Sequence, residues 1–374
     1  MSTLSKVAYA LTAAALFAAV TEPTSHADIS MQYLGQRQIP HEAVIGGTRV
    51  GGLSGISYDP RRGLYYAISD DKSTFGKIRF YTVRLNLSKT GVDDAQFVHT
   101  QQLLDESGIP FRADDRTLTP PVVAPDAEAI AFDDARQQIY WTSEGFVEVS
   151  ENGAERVLAN PWIRIAGLDG TYRGEFTLPA DFVYSQNGGS GPRPNNALEG
   201  LSLSPDGRFL FAAMEAPLVE DGPAVNADHG ALIRITKFDI ESRTPVGQYA
   251  YRVEASPPPT RFNGVSDILA LSNTSFLVVE RAATLPRLAV SVYRADVNSA
   301  TDTLHMPSLS RQPITPMTKT LATDLSVVPE LTRLDNIEGI ALGPKLPGGR
   351  QSVVLVSDDN FSPSEVTQFL ALAM

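Results

Sequence analysis

The sequence predicts an all-β fold, a β-propeller of four-stranded antiparallel blades. Three observations predict it. A two-strand unit with a polar or acidic residue at each end occurs five times, the units follow at a near-fixed period, and each period has room for two more strands.

Residues 125–145 (PDAEAIAFDDARQQIYWTSEG) show the unit at its clearest. Ala127, Ile130, Ala131 and Phe132 precede a polar turn over residues 133–138, and Ile139, Tyr140 and Trp141 follow it. Short apolar runs bounded by turn residues read as strands, here a hairpin. The start of one hairpin strand lies beside the end of the next, so Glu128 and Glu144 are expected on one rim. The other units are LSGISYDPRRGLYYAISDD (53–71), ALEGLSLSPDGRFLFAAMEA (197–216), VSDILALSNTSFLVVER (265–281) and NIEGIALGP with SVVLVSDD (336–359). Their end pairs are Ser54 with Asp70, Glu199 with Glu215, Asp267 with Glu280, and Glu338 with Asp358. First positions lie 74, 71, 68 and 71 residues apart, a spacing that marks a repeat architecture.

From the start of the chain, residues 1–27 hold one early Lys6, an apolar stretch over 7–20 and a small-x-small ending at Ser25-His26-Ala27. This is expected to be a secretory signal peptide cleaved after Ala27, too short for a spanning helix. Residues 28–374 are then expected to form one domain, secreted or periplasmic, with no membrane span. The chain has no cysteine, which excludes disulfides and lipid attachment through a lipobox. Its net charge of −12 and lack of a basic run exclude a nucleic-acid partner.

Each period supplies its outer strands in turn. They are expected at 78–87 and 95–104, at 162–166 and 172–178, at 231–239 and 247–253, and at 288–297 and 318–325. The last unit retains only 366–372, so residues 29–38 are expected to supply its fourth strand and close the ring. Five blades follow from the period and the length, six if one blade is degenerate. The rim with the paired acids also collects the long loops 105–126, 180–197, 217–230, 254–264 and 326–336, whereas the opposite rim has mostly short turns. Long loops on a rigid scaffold carry function. Residues 301–317 fit neither pattern.

First strands line the channel of a propeller, so Glu128, Glu199, Asp267 and Glu338 are expected to converge at one mouth. Asp70, Glu144, Glu215, Glu280 and Asp358 are expected just outside. Several like charges this close do not all stay ionised unaided. Hard divalent cations relieve them, and oxygen-only ligands favour Ca²⁺ over Zn²⁺. The competing reading is structural, with acids capping strand ends through backbone N–H groups of neighbouring blades.

The ordered set DAEAIAFD–TSEG, LEGLSLSPDGRFLFAAMEAPL, GVSDILAL–LVVER and NIEGIALG–VSDDNF resembles the phytase-like domain family, named for an esterase-like activity of phytase. The resemblance covers nearly all of residues 28–374. It implies a secreted β-propeller that hydrolyses phosphate esters or other esters. This chain departs from the commoner Glu-Gly pattern with Ser54-Gly55 and Asp267-Ile268, which leaves the ring of acids incomplete.

Three functions compete. In a metal-dependent phosphoesterase, Ca²⁺ sits on Glu128, Glu199, Asp267 and Glu338, and Glu144, Glu215 and Asp358 are the catalytic acids. Arg281, Lys72 and Arg112 hold substrate phosphate, with Arg116 and Arg193 as further loop cations. Salt bridging and surface solvation are the plain alternatives for these cations. In a lactonase-like or carboxylesterase propeller, Asn196, Asn263 and Asn336 add neutral oxygens to a single metal. In a non-catalytic propeller the metal is structural and the loop-rich face binds a ligand or protein. A serine esterase fits poorly, since there is no G-x-S-x-G elbow and His41, His99, His229 and His305 lack a triad context. Asp228-His229-Gly230 reads as a loop turn. The expected substrate is a small-molecule ester, and the expected form is a monomer.

Overall fold

Strands make up nearly all of the regular structure, as the alternating apolar pattern predicts. The computed structural model describes residues 30–150, 155–186, 188–256, 262–283 and 288–374. The expected signal peptide lies outside the described residues.

The chain enters through β1 (Gln32–Gln38) and a short hairpin of β2 (Val44–Ile45) and β3 (Thr48–Arg49). Blade 1 is β4 (Leu53–Asp59), β5 (Leu64–Ser69), β6 (Arg79–Ser88) and β7 (Gly91–Gln102). Blade 2 is β8 (Ala127–Asp133) and β9 (Gln138–Ser143), then an inserted hairpin of β10 (Phe146–Val149) and β11 (Glu155–Ala159), then β12 (Trp162–Gly167) and β13 (Tyr172–Glu175). Blade 3 is β14 (Leu198–Leu203), β15 (Phe209–Met214), β16 (Ala231–Asp239) and β17 (Thr244–Val253). Blade 4 is β18 (Asn263–Ala270), β19 (Ser275–Ala283), β20 (Leu288–Asp296) and β21 (Thr318–Asp324). Blade 5 is β22 (Asn336–Lys345), β23 (Gln351–Asp358), β24 (Gln368–Ala373) and, as its outer strand, β1.

The ring therefore has five blades, and the N-terminal strand closes it. β1 pairs antiparallel with β24 from Gln32 opposite Ala373 to Gln38 opposite Gln368. The closure binds the two ends of the chain and covers an edge that would otherwise be open.

Apolar burial holds the blades to one another. Five clusters of buried side chains fill the five blade-to-blade interfaces. Between blades 3 and 4, Phe211 meets Phe276 edge-on at 4.7 Å. Between blades 4 and 5, Leu277 and Val279 pack with Ile337, Ile340 and Leu355. Each such side chain stabilises the fold by about 1.5–3 kcal/mol when fully buried. First and second strands are buried on both faces and so read as near-continuous apolar runs, whereas the outer strands do not.

Residues 297–317 have a clear structural task. They cross the outer strand of blade 3, where the Thr303 N–H donates to Gln248 O at 2.7 Å and the Met317 N–H to Ala250 O at 2.8 Å. At the far side the Leu309 N–H donates to Asp221 Oδ1 at 2.7 Å. This strap covers the exposed edge of β17. Among the described residues no helix is long and apolar enough to cross a membrane.

Candidate active site and metal centre

All five first strands slip register against their second strands at one place. The slips lie between Leu53 and Gly55, Ala127 and Ile130, Leu198 and Gly200, Val265 and Asp267, and Ile337 and Gly339. Such a bulge leaves one residue unpaired and re-aims its side chain. The bulged residues are Ser54, Glu128, Glu199, Ser266 and Glu338. In blade 4 the inner position thus belongs to Ser266, and Asp267 takes the place that glycine holds as Gly55, Gly200 and Gly339. In the fourth unit the end positions are therefore Ser266 and Arg281, one residue from the expected Asp267 and Glu280.

The same shift moves the outer position. Leu53, Ala127, Leu198, Val265 and Ile337 face Ser69, Ser143, Met214, Glu280 and Ser357. The residues that follow are Asp70, Glu144, Glu215, Arg281 and Asp358. Arg281 therefore stands in the acid position of blade 4. Glu280 turns away and accepts from Tyr251 Oη at 2.7 Å and Lys319 Nζ at 2.6 Å.

These two rings open into a cavity of about 1280 Å³ on the loop-rich rim. Asp70, Glu128, Glu199, Glu215, Arg281, Glu338 and Asp358 line it. Asn195 and Asn196, Phe262 and the segment 325–335 wall it from three of the long loops, as the loop lengths predicted.

Asp267 and Arg112 are not brought there. Asp267 is buried, and its carboxylate accepts from the N–H groups of Leu201 (3.2 Å), Ile268 (2.8 Å) and Ile340 (2.8 Å). It ties blade 4 to blades 3 and 5 and matches the structural reading of the acids rather than metal ligation. Arg112 is exposed on loop 105–126 and outside the cavity lining. Arg116 pairs with Asp114 at 2.9 Å, and Arg193 donates to the carbonyls of Pro217 and Gly222, so both have local tasks. Asn226 Oδ1 accepts from the Asp228 and His229 N–H groups, which makes that segment a turn.

The acids divide into two sets. Glu215 and Glu338 are partnered. Arg281 donates to Glu215 Oε1 at 3.0 Å, lies 3.4 Å from Glu338 Oε1 and bonds Asn336 Oδ1. Asn196 Nδ2 donates to Glu215 Oε2 at 2.6 Å, and Asn336 Nδ2 to Glu338 Oε1 at 2.8 Å. Both asparagines turn their amide N–H toward an acid. Asn263 likewise donates to Glu280 at 3.0 Å, outside this cavity.

The other set is Asp70, Asp126, Glu128, Glu144 and Glu199. Glu128 and Glu199 are each only 7% exposed, and neither has a hydrogen-bond or ion-pair partner among the described residues. Asp70 Oδ1 and Asp126 Oδ1 are buried without a hydrogen-bond donor. Lys72 Nζ reaches Asp126 Oδ2 at 2.8 Å and is the one cation on this side among the described residues. Glu144 accepts from the Ala197 N–H. Oxygens of Asp70, Asp126 and Glu128 lie within 4.8 Å of one another, as do those of Glu128, Glu144 and Glu199. Asp126 immediately precedes β8, two residues before Glu128, and the close approach of their oxygens brings it into the cluster.

Burial, then the charges of Asp70, Glu199 and Asp126, pushes the Glu128 carboxyl well above the ordinary range. Burial with Glu215 and Glu144 does the same to Glu199, and burial with Asp126 to Asp70, against the pull of Lys72. Burial, then Asp126 and Glu215, raises Glu144, and burial with Glu338 and Asp70 raises Asp358. Burial pushes Glu215 up to about 7, restrained by Arg281 and Asn196. Burial raises Glu338, with Arg281 opposing. Burial disfavours the charged forms of Arg281 and Lys72, but their acid neighbours outweigh it and raise both. A nest of carboxyl oxygens without nitrogen or sulfur ligands, two of them (Asp70 Oδ1 and Asp126 Oδ1) buried without a donor, suits a hard divalent cation.

These features place the chain in a class, the β-propellers with an acidic channel mouth that could hold a metal ion. The family model described as "Phytase-like: esterase-like activity of phytase" matches residues 48–361, and the chain belongs to that family. No curated protein matches it. Among solved structures it is similar to Kuenenia stuttgartiensis hydrazine synthase (13% identity, TM-score 0.34, covering 85% of this chain and 81% of that one). It is similar also to an exo-β-1,3-galactanase from Phanerochaete chrysosporium (11%, TM-score 0.42, 90% and 64%). A third is a putative oxidoreductase (glucose dehydrogenase) from Thermus thermophilus (16%, TM-score 0.33, 86% and 83%). Likeness at this level assigns no chemistry.

Proposed function

We propose that the protein is a Ca²⁺-dependent hydrolase of phosphate esters, working at the acidic mouth. The observation that carries this is the pair Glu128 and Glu199, more than nine-tenths buried and unpartnered. Buried charges are ordinarily paired or bound to metal. Asp70, Asp126, Glu128, Glu144 and Glu199 would hold the ion, which would supply positive charge beside the substrate phosphate. Glu338, the remaining glutamate of the inner ring, is committed to Arg281 and Asn336.

The remaining work falls to this chain's own groups. Arg281, fixed between Glu215 and Glu338, points its guanidinium at the cavity and orients a phosphate oxygen. Lys72, outside the cavity lining, pairs with Asp126 and offsets part of the acid charge there. Water attacks phosphorus, the bond from phosphorus to the ester oxygen breaks with its electron pair on that oxygen, and the water proton ends on the released alcohol. Glu215 and Asp358 would carry that proton, and Glu215, near 7, is best matched to neutral pH. In this reading residues 1–27 are removed. Residues 28–374 then act as one monomeric unit outside the cytoplasm, on small-molecule esters.

The test is calorimetric titration with Ca²⁺, beside phosphate and carboxylate ester hydrolysis with and without chelator. Expected are Ca²⁺ binding and phosphate release that chelator and Glu128→Gln both abolish. Cleavage of carboxylate esters alone moves the chemistry to an esterase. Absence of binding and of any effect of Glu128→Gln returns the ring to strand-end architecture.

A further inference from the structure

The cavity has two unlike walls. Its floor and one side are carboxylates. The other side is mixed, with Phe262, Val327, Val328 and Leu331 standing among Ser326, Thr332 and Arg333. Leu325 and Leu331 are buried and anchor the segment 325–335, whereas Val327 stands 73% exposed at the lip. This side reaches the reacting groups directly. An added Cβ at Gly264 would lie 2.7 Å from Glu215 Cγ and 2.9 Å from Phe262 Cζ, so the Phe262 ring and the Glu215 chain close over that glycine together. Apolar side chains grouped in the wall of a mostly polar cavity offer a surface to an apolar part of a ligand.

Charge points the same way. Asp70, Glu128, Glu199, Glu215, Glu338 and Asp358 outnumber Arg281 in the lining, and Arg281 already faces acids, as does Lys72 outside the lining. Arg333, at the cavity edge, is paired with Asp335 at 3.0 Å. A polyol bearing many phosphates would bring further negative charge to a site with no spare cation among the described residues. A ligand with one phosphate presents that group to Arg281 and leaves its remainder for the apolar side chains of the wall.

We infer that the preferred substrate is a phosphate monoester of an apolar alcohol, with its phosphate at Arg281 and its alkyl or aryl group against Phe262, Val327, Val328 and Leu331. This rests on the hydrolase reading for the chemistry and on the wall for the preference.

The experiment compares n-octyl phosphate, glycerol phosphate and myo-inositol hexakisphosphate as substrates with Ca²⁺ present. Calorimetry measures binding of octyl phosphate against inorganic phosphate. Val327→Asp is exposed enough to fold, and Phe262→Ala probes the inner wall. Expected is a kcat/KM for octyl phosphate at least about tenfold above glycerol phosphate, the scale of one buried apolar group, and lowest for the hexakisphosphate. Val327→Asp should lower kcat/KM for octyl phosphate by a clearly larger factor than for glycerol phosphate. Equal rates on octyl and glycerol phosphate, unchanged in both variants, or a preference for the hexakisphosphate, overturn the inference and leave the hydrolase standing. If no ester is cleaved but octyl phosphate binds more tightly than inorganic phosphate and Val327→Asp weakens octyl phosphate more than inorganic phosphate, the hydrolase falls and the amphipathic ligand stands. No cleavage and no preference overturn both.

Discussion

Blades 2 and 4 share one frame and carry opposite charge. Both have a bulge in the first strand, and both end the second strand at the rim. Blade 2 puts Glu128 and Glu144 in the two positions, and blade 4 puts Ser266 and Arg281. The frame is set by apolar contacts between blades, which are indifferent to what a bulged side chain carries. The bulge decides where the side chain points, and the residue there is free to set the charge. One blade of the second kind makes the mouth asymmetric. Arg281 pairs with Glu215 and Glu338, and Asp70, Asp126, Glu128, Glu144 and Glu199 remain for a cation.

The sharpest way to break this contrast is to give blade 4 the charge of blade 2. Arg281→Glu should leave the protein unable to fold without divalent cation. Arg281→Met, which only removes the charge, should cost roughly 3–5 kcal/mol, the loss for breaking a buried pair. Chemical denaturation with and without Ca²⁺ reads both, and an unchanged midpoint for Arg281→Met would show that Glu215 and Glu338 do not need it.

Glu128→Gln acts on blade 2 and should do two opposite things. Cation affinity should fall by more than the roughly 10- to 100-fold that loss of an outer-shell partner costs. The melting temperature of the cation-free protein should rise, because an unpartnered buried charge is gone.

A pH series carries the same contrast without mutation. The carboxyls of Asp70, Glu128, Glu144, Glu199 and Asp358 are raised in the fold, so above their unfolded values the folded state binds more protons than the unfolded one. Stability of the cation-free protein should then fall as pH rises from about 4.5 through neutrality. Saturating Ca²⁺ should flatten or reverse that slope, which thermal melts at several pH values would show. The smallest effect belongs to Arg112→Ala. It should shift stability by no more than about 0.5 kcal/mol and leave cation binding unchanged.

Much of the molecule was legible beforehand. The paired strands, the outer strands, the closure by the N-terminal strand and the loop-rich rim all follow from apolar runs, turn residues and period. Residues 297–317 were not legible, because a strap crossing another blade has no local pattern. Asp126 was overlooked although it lies two residues from Glu128, and Asp267 was misplaced because Val-Ser-Asp offers two polar neighbours for one position. Only the bulge chooses between them.

The sequence by itself determined the frame, since period-two burial and a regular repeat are local and add up along the chain. It also determined that acids gather on one rim, because every unit places its end residues alike. Tertiary structure alone decided which acids are partnered. Arg281 meets Glu215 from blade 3 and Glu338 from blade 5 across the channel, and Asp267 spends its oxygens on the backbones of three blades. Such contacts depend on distances between blades that are far apart in the chain. That is why Glu128 and Glu199 stand out as unpartnered only once the ring is closed.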